Sequence, residues 1–226
     1  MADDGAGVGA ADRVPSAQLD ELVARAEKLS AAAGERRVLI GLAGAPGAGK
    51  TTLAEALVDR LSGGRPEPGT RVAHVPMDGF HLADVELERL GRRDRKGAPD
   101  TFDPGGYAAL LGRIRAGETV WAPAFERTLE QPIAQSLPVG PSTAIVISEG
   151  NYLLLPDDPW PSARACFDEV WFCRVDPAVR LERLIARHVR FGKSPAHARE
   201  WVLRSDEPNA ELVAATEQYA DLVVDL

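Results

Sequence analysis

The chain of 226 residues is poor in cysteine, with only Cys166 and Cys173. Neither cysteine belongs to a CxxC pair or lies near a cluster of histidines, so neither forms a recognisable metal-binding or redox motif. We therefore expect both to be reduced structural thiols, as is usual for a protein of a reducing compartment.

Basic residues are also in the minority. The chain has 26 Lys and Arg residues against 34 Asp and Glu residues, which gives a formal net charge of −8. This balance argues against a constitutive nucleic-acid-binding protein, which would present a basic surface. It does not exclude an anionic small ligand, because local basic residues can outweigh the overall charge.

Long apolar runs are missing as well, since no stretch approaches the roughly 20 apolar residues that cross a bilayer. The N-terminus begins acidic and lacks the apolar segment of a secretory signal. We expect a cytoplasmic protein with no membrane association. Residues 1–14 are mostly Gly, Ala and Asp and are predicted to be a disordered tail, with one folded domain over 15–226.

Apolar runs of strand length recur along this domain and lack polar alternation, which is typical of strands buried on both faces of a sheet. They lie at 38–44, 71–77, 143–149, 169–175 and 220–226. Segments with helical periodicity lie between them, at 15–33, 51–61, 106–115, 177–190 and 195–204, and 62–69 is predicted to be a surface loop. The pattern predicts an α/β fold with a doubly wound, mainly parallel five-stranded sheet and ligands at the carboxyl ends of its strands.

The most specific motif begins at Gly44 and reads GAPGAGKT, which matches GxxxxGK[ST] between a predicted strand and a predicted helix. Backbone amides of such a loop bind phosphate, assisted by the positive end of the helix dipole. The motif predicts a P-loop fold that binds ATP through Gly44, Ala45, Pro46, Gly47, Ala48, Gly49, Lys50, Thr51 and Thr52. Lys50 is expected to reach the β- and γ-phosphates as a catalytic residue, and the Thr51 hydroxyl to bind Mg²⁺.

Two carboxylates follow predicted strands, where they would face the ligand crevice of a parallel sheet. Glu149 ends the apolar run Ile145-Val146-Ile147-Ser148 and is predicted to be the second Mg²⁺ residue. Asp78 ends the segment 71–77 and is predicted to be the general base that accepts a hydroxyl proton. A turn-forming Asp-Gly pair would explain Asp78 equally well.

An arginine row marks the predicted helix 177–190. Arg180, Arg183, Arg187 and Arg190 are spaced by 3, 4 and 3 residues, so they share one helical face and leave the leucines and Ile185 for the core. Asp176 is expected to cap this helix and Gly192 to end it. The row is either a solvated face or a lid whose guanidinium groups bind phosphate.

Several segments together resemble one kinase family. They are GAPGAGKTT, VPMDGFHL, RKGAPDTFDP, APAFER, VISEGNYLLL, RLIARHVRFGKS and SDEPNAELV, in that order from about Arg37 to the C-terminus. The chain is similar to the uridine kinase, phosphoribulokinase and type I pantothenate kinase superfamily, and most similar to its nucleoside/nucleotide kinase-like branch, which includes fructose-transport kinases. MDGFH and SEGNYLLL are the more diagnostic segments, because the P-loop is widely shared.

The resemblance implies roles for further residues. It implies that Asp78 is the base, that Glu149 binds Mg²⁺, and that Arg127 helps to hold the acceptor. It also implies an acceptor pocket lined by His81 and the Phe102-Asp103 segment, although uridine kinases have a tyrosine where this chain has His81. The arginine-rich lid would cover roughly 183–205. Arg183 and Arg187 are expected to contact phosphate, and Arg190 and Lys193 are the alternative candidates for this contact.

The function expected is transfer of the ATP γ-phosphoryl group to a hydroxyl of a small molecule, with a sugar or nucleoside favoured and pantothenate or a similar vitamin as the alternative. Dimers are common in the superfamily, so a homodimer is compatible with it. Asp206 and Asn209 are explained by helix capping, although the resemblance also allows a place near the ligands.

Two other classes remain open. A regulatory GTPase or ATPase switch would explain the P-loop and the DxxG match at Asp103, but the [NT]KxD motif of such GTPases is missing. A degenerate kinase acting as a structural partner is the other, against which the intact Lys50, Thr51, Asp78 and Glu149 argue.

Overall fold

A computed structural model describes residues 14–64 and 71–226. The predicted tail, except residue 14, and most of the predicted loop 62–69 lie outside the described residues. The elements, in chain order, are α1 (Ser16–Ala33), β1 (Val38–Ala43), α2 (Lys50–Leu61), β2 (Val72–His74), α3 (Asp84–Arg89), α4 (Pro104–Arg115), β3 (Val120–Glu126), β4 (Gln131–Val139), β5 (Ile145–Gly150), α5 (Trp160–Arg164), β6 (Glu169–Arg174), α6 (Pro177–Arg190), α7 (Pro195–Trp201), α8 (Glu207–Ala214) and β7 (Leu222–Asp225).

Five of these strands form a parallel sheet in the order β2-β5-β1-β6-β7. All five coincide with the apolar runs of the sequence, so the predicted doubly wound α/β fold is confirmed. The chain crosses from β1 to β2 at one edge and returns to β5 between them, which places the end of β1 beside the end of β5. Leu42 of β1 is in register with Glu149 of β5. This pairing brings the phosphate-binding loop and the Glu149 carboxylate to one edge of the sheet.

Both faces of the sheet are buried, which explains the unbroken apolar runs. Along β1, Leu39 and Ala43 point to one face and Ile40 and Leu42 to the other, as the two-residue period of a strand requires. Helices α1 and α2 cover the face of Ile40, whereas α4, α5 and α8 contribute to the core on the face of Leu39.

An antiparallel hairpin formed by β3 and β4 is additional to the five predicted strands. The sequence did not reveal it because Pro123, Pro132 and Pro138 interrupt the two strands, and proline within a run normally argues against a strand. Here the hairpin is separate from the main sheet, so the backbone groups on the outer edges of β3 and β4 do not have to pair with a third strand. It packs on a 3-10 turn at Met77–Phe80, which follows β2.

The C-terminal helices differ from the prediction. A π-helical turn at Val202–Asp206 joins α7 to α8, so no new helix begins at Asp206. The Asp206 carboxylate caps no backbone amide. It bonds instead with Nε2 of His188, at 2.9 Å. Asn209 donates through Nδ2 to the carbonyl oxygen of Ser205, at 3.0 Å. The capping interpretation of these two residues was therefore wrong.

Both cysteines are free thiols, as expected. Cys173 is buried in β6, and burial raises its pKa to about 12, which keeps the thiol protonated. Within 14–64 and 71–226, no helix combines the length and the apolar character needed to cross a bilayer.

Candidate active site

The phosphate-binding loop joins β1 to α2. Its glycines at 47 and 49 have φ angles of 81° and 89°, a left-handed conformation that strains residues with a side chain. Helix α2 begins at Lys50, and no side chain caps its first amides. A glycine loop that turns its amides towards an uncapped helix start forms a binding site for an anion such as a phosphate.

Lys50 is almost fully buried beneath this loop, with 7% of its surface exposed. Its Nζ donates to the carbonyl oxygens of Gly44 and Ala45, at 2.8 and 3.0 Å. Burial lowers the pKa of Lys50, and the nearby Glu149 carboxylate opposes this shift. The side chain is thus held against the loop in an environment that favours a further negative charge close by.

Glu149 lies at the carboxyl end of β5 and accepts a hydrogen bond from the Thr51 hydroxyl, at 3.1 Å. Burial raises the pKa of Glu149, and the charge of Asp78 raises it further, while Lys50 opposes both. Among the described residues, no group of three or more His, Cys, Asp or Glu residues could enclose a metal. One carboxylate and one hydroxyl nevertheless suit Mg²⁺, which keeps several waters and takes its remaining oxygens from phosphates.

A cavity of about 730 Å³, here called the nucleotide cavity, opens beside the loop. It is bounded on one side by the start of α2 and on the other by α6. Its lining residues are Gly47, Gly49, Lys50, Thr51, Thr52, Glu55, Arg127, Glu182, Arg183, Leu184, Ala186, Arg187, Arg190 and Phe191.

Asp78 lies in the turn Met77–Phe80, and two glycines allow this turn to fit between the hairpin and β5. A Cβ atom on Gly79 would lie 2.3 Å from the carbonyl oxygen of Pro123. A Cβ atom on Gly150 would lie 2.6 Å from Met77. Such distances are well inside van der Waals contact, so larger residues at 79 or 150 would displace the segment that holds Asp78.

A second cavity of about 570 Å³, here called the acceptor cavity, opens next to Asp78. Two aromatic rings in its wall pack on the His81 ring, with centroids 4.0 Å away for Phe102 and 4.6 Å away for Phe125. The lining residues are Pro46, Asp78, His81, Asp84, Arg93, Asp94, Lys96, Gly97, Phe102, Phe125, Arg127, Glu130, Asn151, Arg187, His188, Lys193, Trp201 and Asp206.

His81 is held as a neutral ring. Its Nδ1 lies 2.8 Å from the carbonyl oxygen of Asp78, and a carbonyl only accepts, so Nδ1 carries the proton. Burial lowers the pKa of His81, and the charge of Asp78 only partly offsets this effect. Neutral His81 therefore has Nε2 as a hydrogen-bond acceptor, which suits a ligand hydroxyl.

The structure brings together Asp78, His81, Phe102 and Arg127, but not Asp103. Nη2 of Arg127 lies 3.9 Å from Oδ2 of Asp78. Asp103 was expected in the same pocket, yet its exposed carboxylate caps α4 by accepting from the backbone amide of Gly106, at 2.8 Å. Asp103 thus fixes where the helix starts and does not line the cavity.

Helix α6 has the predicted ends, since Asp176 accepts from the amides of Ala178 and Val179 and Gly192 has a φ of 96°. Arg183, Arg187 and Arg190 line the nucleotide cavity, and Lys193 lines the acceptor cavity.

Arg180 separates from the rest of the arginine row. It is buried, donates to the carbonyl oxygen of Pro46 at 3.3 Å and forms an ion pair with Glu207 at 2.6 Å. Of the apolar residues expected in the core, Leu184 is buried, whereas Leu181 and Ile185 are half-buried. Arg180, the first residue of the predicted arginine face, therefore anchors α6 to the phosphate-binding loop.

Some residues of the acceptor cavity were not predicted from the sequence. Phe125 and Asn151 lie inside the segments APAFER and SEGNYLLL, so their neighbours gave a signal. His188 and Trp201 lie inside the predicted lid 183–205 but were not singled out, and they line the cavity because the C-terminal helices fold back over it. Asp206, for which the resemblance allowed a place near the ligands, lines the cavity beside His188.

Similar proteins agree with this geometry. A Schizosaccharomyces pombe protein named "putative uridine kinase" is 33% identical over 214 residues, which cover 91% of this chain and 89% of that protein. The uncharacterized protein YggC of Escherichia coli K12 is 33% identical over 192 residues, 85% of this chain and 79% of that protein. A crystal structure from Silicibacter sp. TM1040, described as a "putative fructose transport system kinase", superposes with a TM-score of 0.78 at 34% identity over 90% of this chain and 98% of that one. No protein-family model matches the chain.

Fold, phosphate-binding loop and relatives define a P-loop kinase. More narrowly, the chain belongs to the uridine kinase, phosphoribulokinase and type I pantothenate kinase superfamily, in the branch that includes fructose-transport kinases. It is an ATP-dependent small-molecule kinase.

Proposed function

We propose that this kinase transfers the γ-phosphoryl group of ATP to a hydroxyl of a sugar or nucleoside bound in the acceptor cavity. The observation that supports this most strongly is the position of Asp78. Its carboxylate faces the acceptor cavity and lies 3.9 Å from Arg127, which lines the nucleotide cavity as well. A carboxylate at such a junction can accept the proton of a hydroxyl that is directed at a phosphorus atom.

On the nucleotide side, the amides of the loop from Gly44 to Thr52 would bind the phosphates, and Lys50 would bind the β- and γ-phosphate oxygens. Arg183 and Arg187 would bind the γ-phosphoryl oxygens from α6. Thr51 and Glu149 would hold Mg²⁺, which, when bound, neutralises negative charge on the phosphates. The loop amides, Lys50, Thr51 and Glu149 lie close together on the loop and the neighbouring strand, so they would need little reorganisation as charge moves from the transferred group to the leaving phosphate.

On the acceptor side, Asp78 is the proposed general base. The acceptor hydroxyl would lose its proton to this carboxylate while its oxygen forms the new bond to phosphorus and the bond to ADP breaks. His81, Phe102 and Arg127 would hold the acceptor, with Nε2 of His81 accepting a hydrogen bond and the Phe102 ring contacting an apolar face.

Water is the competing acceptor in such a reaction, and the segment 183–205 is the proposed lid against it. It contains the second half of α6, all of α7 and most of the π-helical turn. Residues of this segment line both cavities, so its closure over bound ATP would exclude water from the junction.

The nature of the cavity wall favours a sugar or nucleoside. The rings of Phe102, Phe125 and His81 offer flat apolar contact, and Asp78, Asn151 and Asp84 offer hydrogen-bonding groups beside them. This mixture suits a ligand with many hydroxyl groups on a ring. Pantothenate or a similar vitamin alcohol is the alternative, since the segment Met77-Asp78-Gly79-Phe80 is shared with pantothenate kinases.

The deciding experiment is ADP release from ATP and Mg²⁺ with a panel of sugars, nucleosides and pantothenate. Asp78→Asn and Lys50→Ala are measured beside the unmodified chain. We expect one acceptor to stimulate ADP release strongly and both variants to lose the stimulation. Stimulation that survives in Asp78→Asn would refute the assigned base, and stimulation by pantothenate alone would favour the alternative.

A homodimer and a cytoplasmic location stay predictions from the sequence and the family. Light scattering of the purified chain tests the first, and fractionation of the native cell tests the second.

A further inference from the structure

Two arginines from different parts of the fold meet where the two cavities join. Among the described residues, Arg127 and Arg187 are the ones that line both the nucleotide cavity and the acceptor cavity. Arg187 belongs to α6, whereas Arg127 follows β3 at the tip of the hairpin. The two arginines are 60 residues apart in sequence.

The hairpin turn places Arg127 at the cavity. Phe125 of β3 and Arg127, the first residue of the turn after β3, both line the acceptor cavity. Glu126 lies between them and is exposed. Its carboxylate accepts from the backbone amide and the hydroxyl of Thr128, at 3.0 and 2.6 Å. The neighbouring carboxylate is thus engaged in the hairpin turn, and Arg127 is not half of a surface ion pair with Glu126.

The junction brings two positive charges together. Surrounding protein lowers the pKa of Arg187 and the positive charge of Arg127 lowers it further, whereas the carboxylates of Asp206, Asp78 and Glu149 oppose these shifts. The guanidinium of Arg127 lies 3.9 Å from the Asp78 carboxylate, which is beyond hydrogen-bonding distance. Two guanidinium groups that repel each other next to a phosphate-binding loop are both stabilised when a multiply charged anion lies between them.

We propose that Arg127 is a catalytic residue that contacts the phosphoryl group during transfer, opposite Arg187, in addition to holding the acceptor. In the transfer, the bond from phosphorus to ADP breaks, the bond to the acceptor oxygen forms, and Asp78 receives the proton. Negative charge on the equatorial phosphoryl oxygens would then be bound from two sides, by α6 and by the hairpin. This inference rests on the proposed function.

The hairpin also carries the aromatic wall of the acceptor cavity, so the two roles are joined. Phe125 contacts His81 and lies under Lys96, whose Nζ is 5.6 Å from the ring centroid. Lys96 in turn forms an ion pair with Asp84 at 2.6 Å and donates to the carbonyl oxygen of Glu130. An acceptor that packs on Phe125 would therefore steady the strand two residues before Arg127.

The test needs no knowledge of the acceptor. Calorimetry measures binding of ADP with Mg²⁺ to the full chain, with and without aluminium fluoride, a planar mimic of the phosphoryl group in transit. The variants are Arg127→Ala, Arg127→Lys and Arg187→Ala. Arg113→Ala is the control, because Arg113 is exposed on α4 and pairs with Glu118 at 2.8 Å, away from both cavities.

We expect aluminium fluoride to tighten ADP binding in the unmodified chain and in the control. Arg127→Ala should reduce this gain about 10- to 100-fold, the effect of losing hydrogen bonds to a charged group, with ADP affinity alone unchanged. Arg187→Ala should lose a similar part of the gain. Lysine at 127 should restore the gain only partly, because it lacks the two-pronged geometry of a guanidinium.

If aluminium fluoride still tightens ADP binding in Arg127→Ala but no longer does so in Arg187→Ala, the inference is overturned and the proposed kinase function stays intact. A gain absent from the unmodified chain would also overturn it, because the two arginines would then form no site for the transferred group. Failure of the proposed function gives a different result, namely no stimulation of ADP release by any acceptor.

Discussion

The two ends of the site are built in different ways. The phosphate-binding part of the nucleotide end is contiguous, since Gly47, Gly49, Lys50, Thr51 and Thr52 come from one loop and the helix start after it, and α6 faces this loop across the cavity. Glu149 is added by the neighbouring strand. The acceptor end takes its wall from Pro46 and from five further stretches between Asp78 and Asp206. Local sequence can specify the first because backbone conformation does the binding there, whereas the second depends on how distant segments pack.

The two ends also differ in burial. Lys50 and Glu149 are 7% and 4% exposed, whereas the side chains of Asp78 and Arg127 are 28% and 42% exposed. The Lys50 and Glu149 side chains of the nucleotide end are therefore enclosed by protein, whereas Arg187 and Arg190 of α6 are exposed. The acceptor end is open to solvent and gains most from a ligand or a closing lid.

The largest expected effect is at the nucleotide end. Lys50→Ala removes the ammonium that would bind the β- and γ-phosphates, so we expect turnover to fall about 10³-fold or more. The rise in melting temperature caused by ATP should disappear as well. Thermal unfolding with and without ATP measures this. Lys28→Ala on the exposed side of α1 should keep both properties, and a Lys50→Ala chain that still binds ATP normally would contradict the assignment.

Asp78→Asn should separate the two ends. The variant lacks the proton acceptor, so turnover should fall by about 10²–10⁴-fold, with little change in the shape of the site. Nucleotide binding should remain, because Asp78 lies in the acceptor cavity and outside the lining of the nucleotide cavity. Single-turnover phosphorylation and ATP-induced thermal shifts, measured on the same preparation, provide the check. Parallel loss of both quantities would mean that Asp78 supports the nucleotide end too.

Gly79→Ala tests how the acceptor end is positioned. The added methyl group would meet the carbonyl oxygen of Pro123, which should displace the turn of Asp78 and cost about 1–3 kcal/mol of unfolding free energy. Gly112→Ala on α4 is the matched control, because a Cβ atom there meets nothing within 4 Å. We expect it to stabilise the chain by about 0.5–1 kcal/mol. Urea unfolding measures both, and equal effects would show that the turn tolerates displacement.

The last expected effect appears only at low pH and concerns the strand that leads to Asp78. Burial lowers the pKa of His74 from 6.5 to about 4, against the smaller opposing effect of Asp78. Between these two pH values the unfolded chain binds a proton that the folded chain excludes, so stability is full above pH 6.5 and falls as the pH decreases. At pH 5 the loss should be about 2 kcal/mol.

His74→Phe should remove that part of the pH dependence, because Nε2 of His74 is buried without a hydrogen-bond partner and an apolar ring can replace it. Urea unfolding at pH 7.5 and pH 5 gives the comparison. His197→Gln, at an exposed position on α7, should behave like the unmodified chain. An unchanged pH dependence in His74→Phe would show that His74 is not the group responsible.

The sequence predicted the parts of the molecule whose signal is local. Five strands were visible because burial on both faces makes them continuously apolar, and the loop at Gly44 was visible because its amides require glycine. The hairpin was missed because its prolines hide a strand that stands apart from the main sheet. Asp206 was taken for a helix cap because nothing in the neighbouring sequence showed that a π-helical turn would continue the helix through it. Its hydrogen bond to His188, 18 residues earlier in the chain, left no local signal either.

By itself, then, the sequence determined the sheet, the phosphate-binding loop and the identity of the charged residues that could act on phosphate. The tertiary structure alone decided which of them meet. It sent Arg180 into an ion pair with Glu207, left Asp103 at a helix start, and brought Arg127 and Arg187 to one junction. The physical reason is that backbone conformation and burial are encoded over a few residues, whereas the meeting of two side chains 60 residues apart depends on the packing of everything between them.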